Sequence, residues 1–161
     1  MLGLLLRARD AGLPLPACAV CFSPWTDLAG TGASVRLNNG RCAMFHAENI
    51  PEFAAAYLNG ASPLDPFASP AFADLKGLPP LLLQVSSTEL LLDDASRVHH
   101  KIQATGGMSR LEVYDDVFHV WQMLDGIVPE AGVAIRQATA FIRSHLLSTG
   151  DAQNLNEPRS R

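Results

Sequence analysis

Two short apolar runs, 17–22 (Ala-Cys-Ala-Val-Cys-Phe) and 81–85 (Leu-Leu-Leu-Gln-Val), constrain what this chain can fold into more than any other feature. Each is too short for a buried helix and lacks the polar alternation of a strand with one wet face. Each therefore reads as a strand buried on both faces, which is the pattern of a parallel sheet. A third segment, Arg110-Leu-Glu-Val-Tyr114, alternates polar and apolar residues and is expected nearer the sheet edge. Helical signals separate these strands. Residues 2–9 read as the end of a buried helix, stopped at Gly12 with Pro14 and Pro16 beyond. Asp93 or Asp94 can cap a helix running to about Thr105, closed by Gly106 and Gly107. A last helix spans 129–147, with Ala131, Val133, Ile135, Ala138, Phe141, Ile142 and Leu146 on its apolar face. The order helix end, strand, long insertion, strand, helix, strand, helix predicts an α/β fold: a mostly parallel sheet with crossover helices. In such a sheet reactive groups gather at the C-terminal ends of the strands.

The insertion between the first two strands is less regular. Residues 26–40 turn to Gly, Ser, Thr and Asn and are expected as loop; 48–57 read as a helix with Pro51 in its first turn. Residues 59–80 hold five prolines and read as turns. The polar tail, 148–161, is expected to be disordered, which leaves 1–147 as one folded unit.

Composition excludes several classes of function. With 48% apolar and 17% charged residues the chain is too apolar to be disordered. A net charge of −4 and the lack of any Lys/Arg cluster leave no surface for a phosphate backbone. An odd count of three cysteines describes no disulfide framework, so the expected compartment is the reducing cytoplasm. No stretch is long enough to span a bilayer, and the apolar run after Met1 is short and preceded by no cationic segment, so no signal peptide is expected. Cys18 and Cys21 form a literal C-x-x-C. On a strand, residues three apart face opposite sides, so neither zinc nor a dithiol is expected there. His99 and His100 are read as a solvated helix face, and no metal or cofactor is expected.

Two residues carry the candidate chemistry. His119 ends Asp115-Asp-Val-Phe-His119, directly after the third strand, where an imidazole titrating near neutral pH could move a proton. Glu89 ends Ser86-Ser-Thr-Glu89, directly after the second strand, where a carboxylate could orient that imidazole. No G-x-S-x-G occurs, and no His-Gly-Gly-Gly run that could donate oxyanion-hole amides. Ser23 and Ser69 precede prolines, and Ser86 and Ser87 adjoin the acid, so none is read as a nucleophile.

Ser23-Pro-Trp-Thr-Asp-Leu28, Asp65-Pro-Phe-Ala-Ser-Pro70, the long run from Leu78 to Ser96, and Phe118-His-Val-Trp-Gln122 occur in that order. Together they resemble the hormone-sensitive-lipase family of bacterial esterases, the α/β-hydrolase fold-3 group, from Leu2 to about Leu147. The resemblance implies the C-terminal portion of an α/β-hydrolase fold that lacks the nucleophile-elbow half. It implies a carboxylesterase-type serine hydrolase acting on small-molecule esters without a cofactor. Family members carry Asp-Pro-Leu-x-Asp at the acid, with the histidine about thirty residues later. Glu89-Leu-Leu-Leu-Asp93 matches with Glu in the first position, thirty residues before His119. Glu89 thereby inherits the acid role and His119 the base role, with Asp93 and Asp94 as rival acids. The resemblance further implies a nucleophile just upstream of Met1, an inactive chain when alone, and a homodimer through the edge strand near Arg110 and Tyr114. The competing reading is a non-catalytic binding or assembly module derived from a hydrolase. In either case Trp25, Met44, Phe45, Phe53, Tyr57 and Phe67 are candidates for an apolar pocket.

Overall fold

The computed structural model describes residues 1–154. Three strands, β1 (Ala19–Phe22), β2 (Leu81–Ser86) and β3 (Ser109–Tyr114), form one sheet in the order β1-β2-β3 with both pairings parallel. The register sets Leu83 of β2 between Cys21 and Leu111. Every residue of the central strand is buried, as its near-continuous apolar sequence requires.

The period of two along β2 divides the core. Leu81, Leu83 and Val85 face α1 (Leu2–Asp10) and α4 (Leu92–Ala104), meeting Leu2, Leu5, Leu6, Ala95, Val98 and Ile102. Leu82 faces the other way, onto Ala138 and Phe141 of α5 (Pro129–Asn154), with Cys18, Val20 and Phe22 beside it. Helices thus cover both faces. Cys18 and Cys21 fall in these two opposite clusters, as the strand geometry requires. All three cysteines are free. No helix among the described residues is long and apolar enough to cross a membrane.

The insertion departs from expectation in one place. Residues 26–40, expected as loop, contain a short helix, α2 (Ala33–Leu37), and α3 (Ile50–Leu58) follows after a 3-10 turn over Ala47–Asn49. Distant bonds hold α2: Ser34 donates its hydroxyl to Leu90 O (2.6 Å) and its N–H to Asp93 Oδ2 (3.0 Å). The last helix also exceeds the expected 129–147, continuing to Asn154; the expected tail therefore begins within a helix, and 155–161 lie outside the described residues.

Asp93 and Asp94 do not cap α4, whose first residue is Leu92. They sit in its first turn and hold the insertion instead. Asp94 Oδ2 accepts the backbone N–H groups of Thr26 (2.6 Å) and Asp27 (2.8 Å), while Arg97 bonds the buried Asp27 carboxylate at 2.8 Å. Asp94 is almost fully enclosed, and its other oxygen has no partner. Burial pushes its carboxyl up to about 7, against the pull of those two N–H groups. The native state then keeps a proton that the unfolded chain releases near 3.8, so stability falls as pH rises from there to about 7, and is level above. Urea unfolding across that range is expected to show this decline, and Asp94→Asn, which keeps an acceptor oxygen and cannot ionise, is expected to flatten it. Asp94→Ala, which strands two buried N–H groups, is expected to cost about 2–4 kcal/mol in the same measurement.

Candidate active site

The acid loop is built where β2 runs into α4. From Ser86 the chain turns through Ser87 and Thr88, and Glu89 N–H donates back to Ser86 O (3.2 Å). The Glu89 side chain folds over this turn so that Oε1 accepts Ser86 N–H at 2.9 Å. Asn38, buried beside the end of α2, donates its Nδ2 to the carbonyls of Ser87 (3.0 Å) and Glu89 (2.8 Å). A carboxylate held this closely is 1% exposed, a burial that an ionisable group tolerates only when its oxygens are bonded.

The base loop follows β3. Val117 and Trp121 are buried against Ala131 and Ala134 of α5, and the Tyr114 ring lies on Trp121 at 4.9 Å between centroids. These anchors pin the chain on both sides of His119. Between them the backbone enters the left-handed region at Asp116 (φ 52°) and Val120 (φ 51°). The ring edge of Phe45, from the insertion, contacts the imidazole at a centroid distance of 4.9 Å and an interplanar angle of 75°.

The two loops meet at one bond: His119 Nδ1 lies 2.6 Å from Glu89 Oε2. With Nδ1 donating to the carboxylate oxygen, Nε2 is the ring nitrogen left to face a reacting group. Nε2 has no hydrogen-bond partner among the described residues, and the His119 side chain is 18% exposed. Such an imidazole, with its tautomer set by a buried acid, can take a proton from a hydroxyl and hand it to a leaving group. The rival acids are elsewhere, since Asp94 bonds Thr26 and Asp27 and Asp93 bonds Ser34.

A cleft of about 770 Å³ lies between the start of α1 and the end of β1, and Ser23, Trp25, Tyr57 and Phe67 are among its lining residues. Of the six aromatic and methionine candidates, Trp25, Tyr57 and Phe67 thus line the cleft. Phe45 packs on His119, Phe53 on Phe45, and Met44 is exposed. His99, read as part of a solvated face, is half-buried with Nδ1 2.8 Å from Ser109 Oγ; His100 beside it is exposed. Among the described residues no group of three or more His, Cys, Asp or Glu could hold a metal ion.

Sequence reasoning did not find two residues of this site, and it marked Phe45 only as a candidate for an apolar pocket. Asn38 belongs to the insertion and arrives through tertiary packing, with no local signal. Ser23 offered one: it follows a strand directly, as Glu89 and His119 do, but the proline after it drew attention only to its unfitness as a nucleophile.

The arrangement has relatives. A family model described as alpha/beta hydrolase fold matches residues 1–123. An acetyl-hydrolase of Streptomyces hygroscopicus is 45% identical over 140 residues, covering 87% of this chain and 47% of that protein. An esterase of Acinetobacter venetianus is 34% identical over 144 residues, covering 89% and 48% respectively. A crystal structure of an esterase from the bacterial hormone-sensitive lipase family superposes with a TM-score of 0.86 at 44% identity, covering 89% of this chain and 48% of that one. The chain spans about half the length of these relatives, matching their C-terminal half. With three parallel strands sandwiched by helices and a histidine and a carboxylate at adjacent strand ends, the chain belongs to the alpha/beta hydrolase fold family that includes the esterases of the bacterial hormone-sensitive lipase group.

Proposed function

We propose that Glu89 and His119 are the acid and the base of a Ser-His-acid triad that hydrolyses carboxylic esters. The observation that carries this reading is the 2.6 Å contact between His119 Nδ1 and a carboxylate that is 1% exposed. The acetyl-hydrolase and esterase relatives support the reaction class. The sequence has no G-x-S-x-G, so the nucleophile and the oxyanion-hole donors are supplied from outside these 161 residues.

In the reaction, a serine oxygen attacks the ester carbonyl while Nε2 of His119 takes the serine proton. The imidazolium that forms is held by the Glu89 carboxylate through Nδ1–H. The tetrahedral intermediate collapses, the carbon–oxygen bond to the alcohol breaks, and His119 returns the proton to the departing alcohol oxygen. Water then attacks the acyl-serine, again deprotonated by Nε2, and the acid leaves as serine is regenerated. The half-buried Phe45 ring on the imidazole supplies an apolar wall beside the reacting atoms. Three free cysteines accord with the reducing cytoplasm as its location.

β3 pairs with β2 alone among the described residues and carries an exposed Val113. An open strand edge invites a second strand, so the edge near Arg110 and Tyr114 is the proposed homodimer contact.

These 161 residues alone are expected to cleave a short-chain nitrophenyl ester no faster than buffer does. In a protein that also carries G-x-S-x-G, His119→Ala is expected to lower kcat by roughly 10⁴-fold or more, and Glu89→Gln by up to about 10⁴-fold. Unchanged hydrolysis in both variants would reject the triad, and an unsubstituted protein that cleaves no ester would favour the binding module. Light scattering behind a sizing column tests the dimer: a clean monomer of the full protein is the result that removes it.

A further inference from the structure

We infer that Ser23 is a positioning residue of this site, a hydroxyl clamp that holds the acid and base loops in register; the inference rests on the triad reading above. Ser23 sits just past the end of β1, 3% exposed, with its Oγ in two bonds. It donates to Glu89 Oε1 at 2.7 Å and accepts the backbone N–H of Val120 at 3.2 Å. Its single proton is committed to an acceptor-only carboxylate, and its lone pair to the residue that follows His119.

The topology makes this link unusual. β1 neighbours β2 and not β3, so an oxygen bonded both to the loop after β2 and to the loop after β3 lies across the tip of the central strand. One side chain thereby ties three strand ends together. On the acid side it shares Oε1 with Ser86 N–H, so the other oxygen, Oε2, is the one left for the imidazole. On the base side it satisfies Val120, a β-branched residue at φ 51°, where the left-handed backbone is strained. Ser23 itself is at φ 44°. Two strained residues joined by one hydroxyl are what a site looks like when the surrounding structure over-determines its geometry.

A clamp and a merely structural serine differ in what they do to the imidazole. The test is nitrogen-15 NMR of the histidine rings in the full chain, with His119 assigned by its absence in His119→Gln. The wild type is expected to show His119 as the Nδ1–H tautomer with slow exchange of that proton. Ser23→Ala removes the hydroxyl, and Ser23→Gly removes it while relieving the positive φ, so the glycine variant keeps the test open if the alanine variant does not fold. Both are expected to mix the two tautomers and to speed Nδ1–H exchange by about tenfold or more, the worth of one hydrogen bond to a charged group. Wild-type tautomer and exchange in either variant would overturn the clamp, because the hydroxyl would then be dispensable for orienting the ring. Loss of the signature in the Ser23 variants of a protein that carries G-x-S-x-G, and whose unsubstituted form cleaves no ester, would support the clamp and overturn the esterase reading.

Discussion

A buried carboxyl group is costly unless both its oxygens are hydrogen-bonded, and Glu89 meets that demand with partners from three separate segments. Ser86 N–H is local, Ser23 Oγ–H comes from the end of β1, and His119 Nδ1 from the loop after β3. Each of these donors stands at the end of a different strand, so the carboxylate can be satisfied only when the sheet has its full order. The same requirement that makes the acid expensive to bury makes its geometry specific: Oε1 is occupied and Oε2 is turned to the imidazole.

The insertion after β1 is fastened to the site by a second set of carboxylates. Asp94 takes the N–H groups of Thr26 and Asp27, Asp93 takes that of Ser34, and Asp27 closes on Ala29, Thr31 and Arg97. These contacts begin three residues past Ser23 and share the first turn of α4 with the acid loop. The residues that match the second half of an acid motif therefore serve the first half indirectly, by fixing where β1 hands over to the insertion. Through α2 the same fastening delivers Asn38 to the carbonyls of Ser87 and Glu89, and the segment beyond α2 delivers Phe45 to the imidazole.

What was legible in the sequence were features with a local cause. The runs of apolar residues at 17–22 and 81–85 mark β1 and β2 because burial on both faces leaves no room for polar side chains, and Gln84 is the exception that bonds inside the core to Ala134 O and Glu112. The meeting of Glu89 and His119 was legible because each follows one of two neighbouring strands within a few residues. α2 was not, since its five residues have Gly32 rather than a side-chain cap before them and are held by Leu90 and Asp93 from far along the chain. The Asp93 and Asp94 caps failed for a related reason: a carboxylate at a helix start has several N–H groups in reach, and here those of the insertion win over those of α4. Ser23, Asn38 and Phe45 make their contacts with partners distant in sequence, so even the strand-end position of Ser23 does not name what it touches.

Strain is concentrated where the loops meet. Of the four non-glycine residues with positive φ among the described residues, Ser23, Asp116 and Val120 flank or join the dyad, and Asn59 lies elsewhere, at the end of α3 where a left-handed residue is an ordinary helix terminator. Each such residue costs of the order of 1–3 kcal/mol, so the base loop is a local minimum only because something larger holds it. Val117 and Trp121, both buried, are that restraint, clustered with Ala131 and Ala134 of α5 and with the Tyr114 ring against Trp121. Hydrophobic burial of Val117 and the Trp121 indole opposes that strain, less the cost of an indole Nε1–H that is buried with no partner. Precision at the imidazole thus derives from apolar packing two residues away, and the polar contacts to Glu89 and Ser23 choose among the few orientations that this packing leaves.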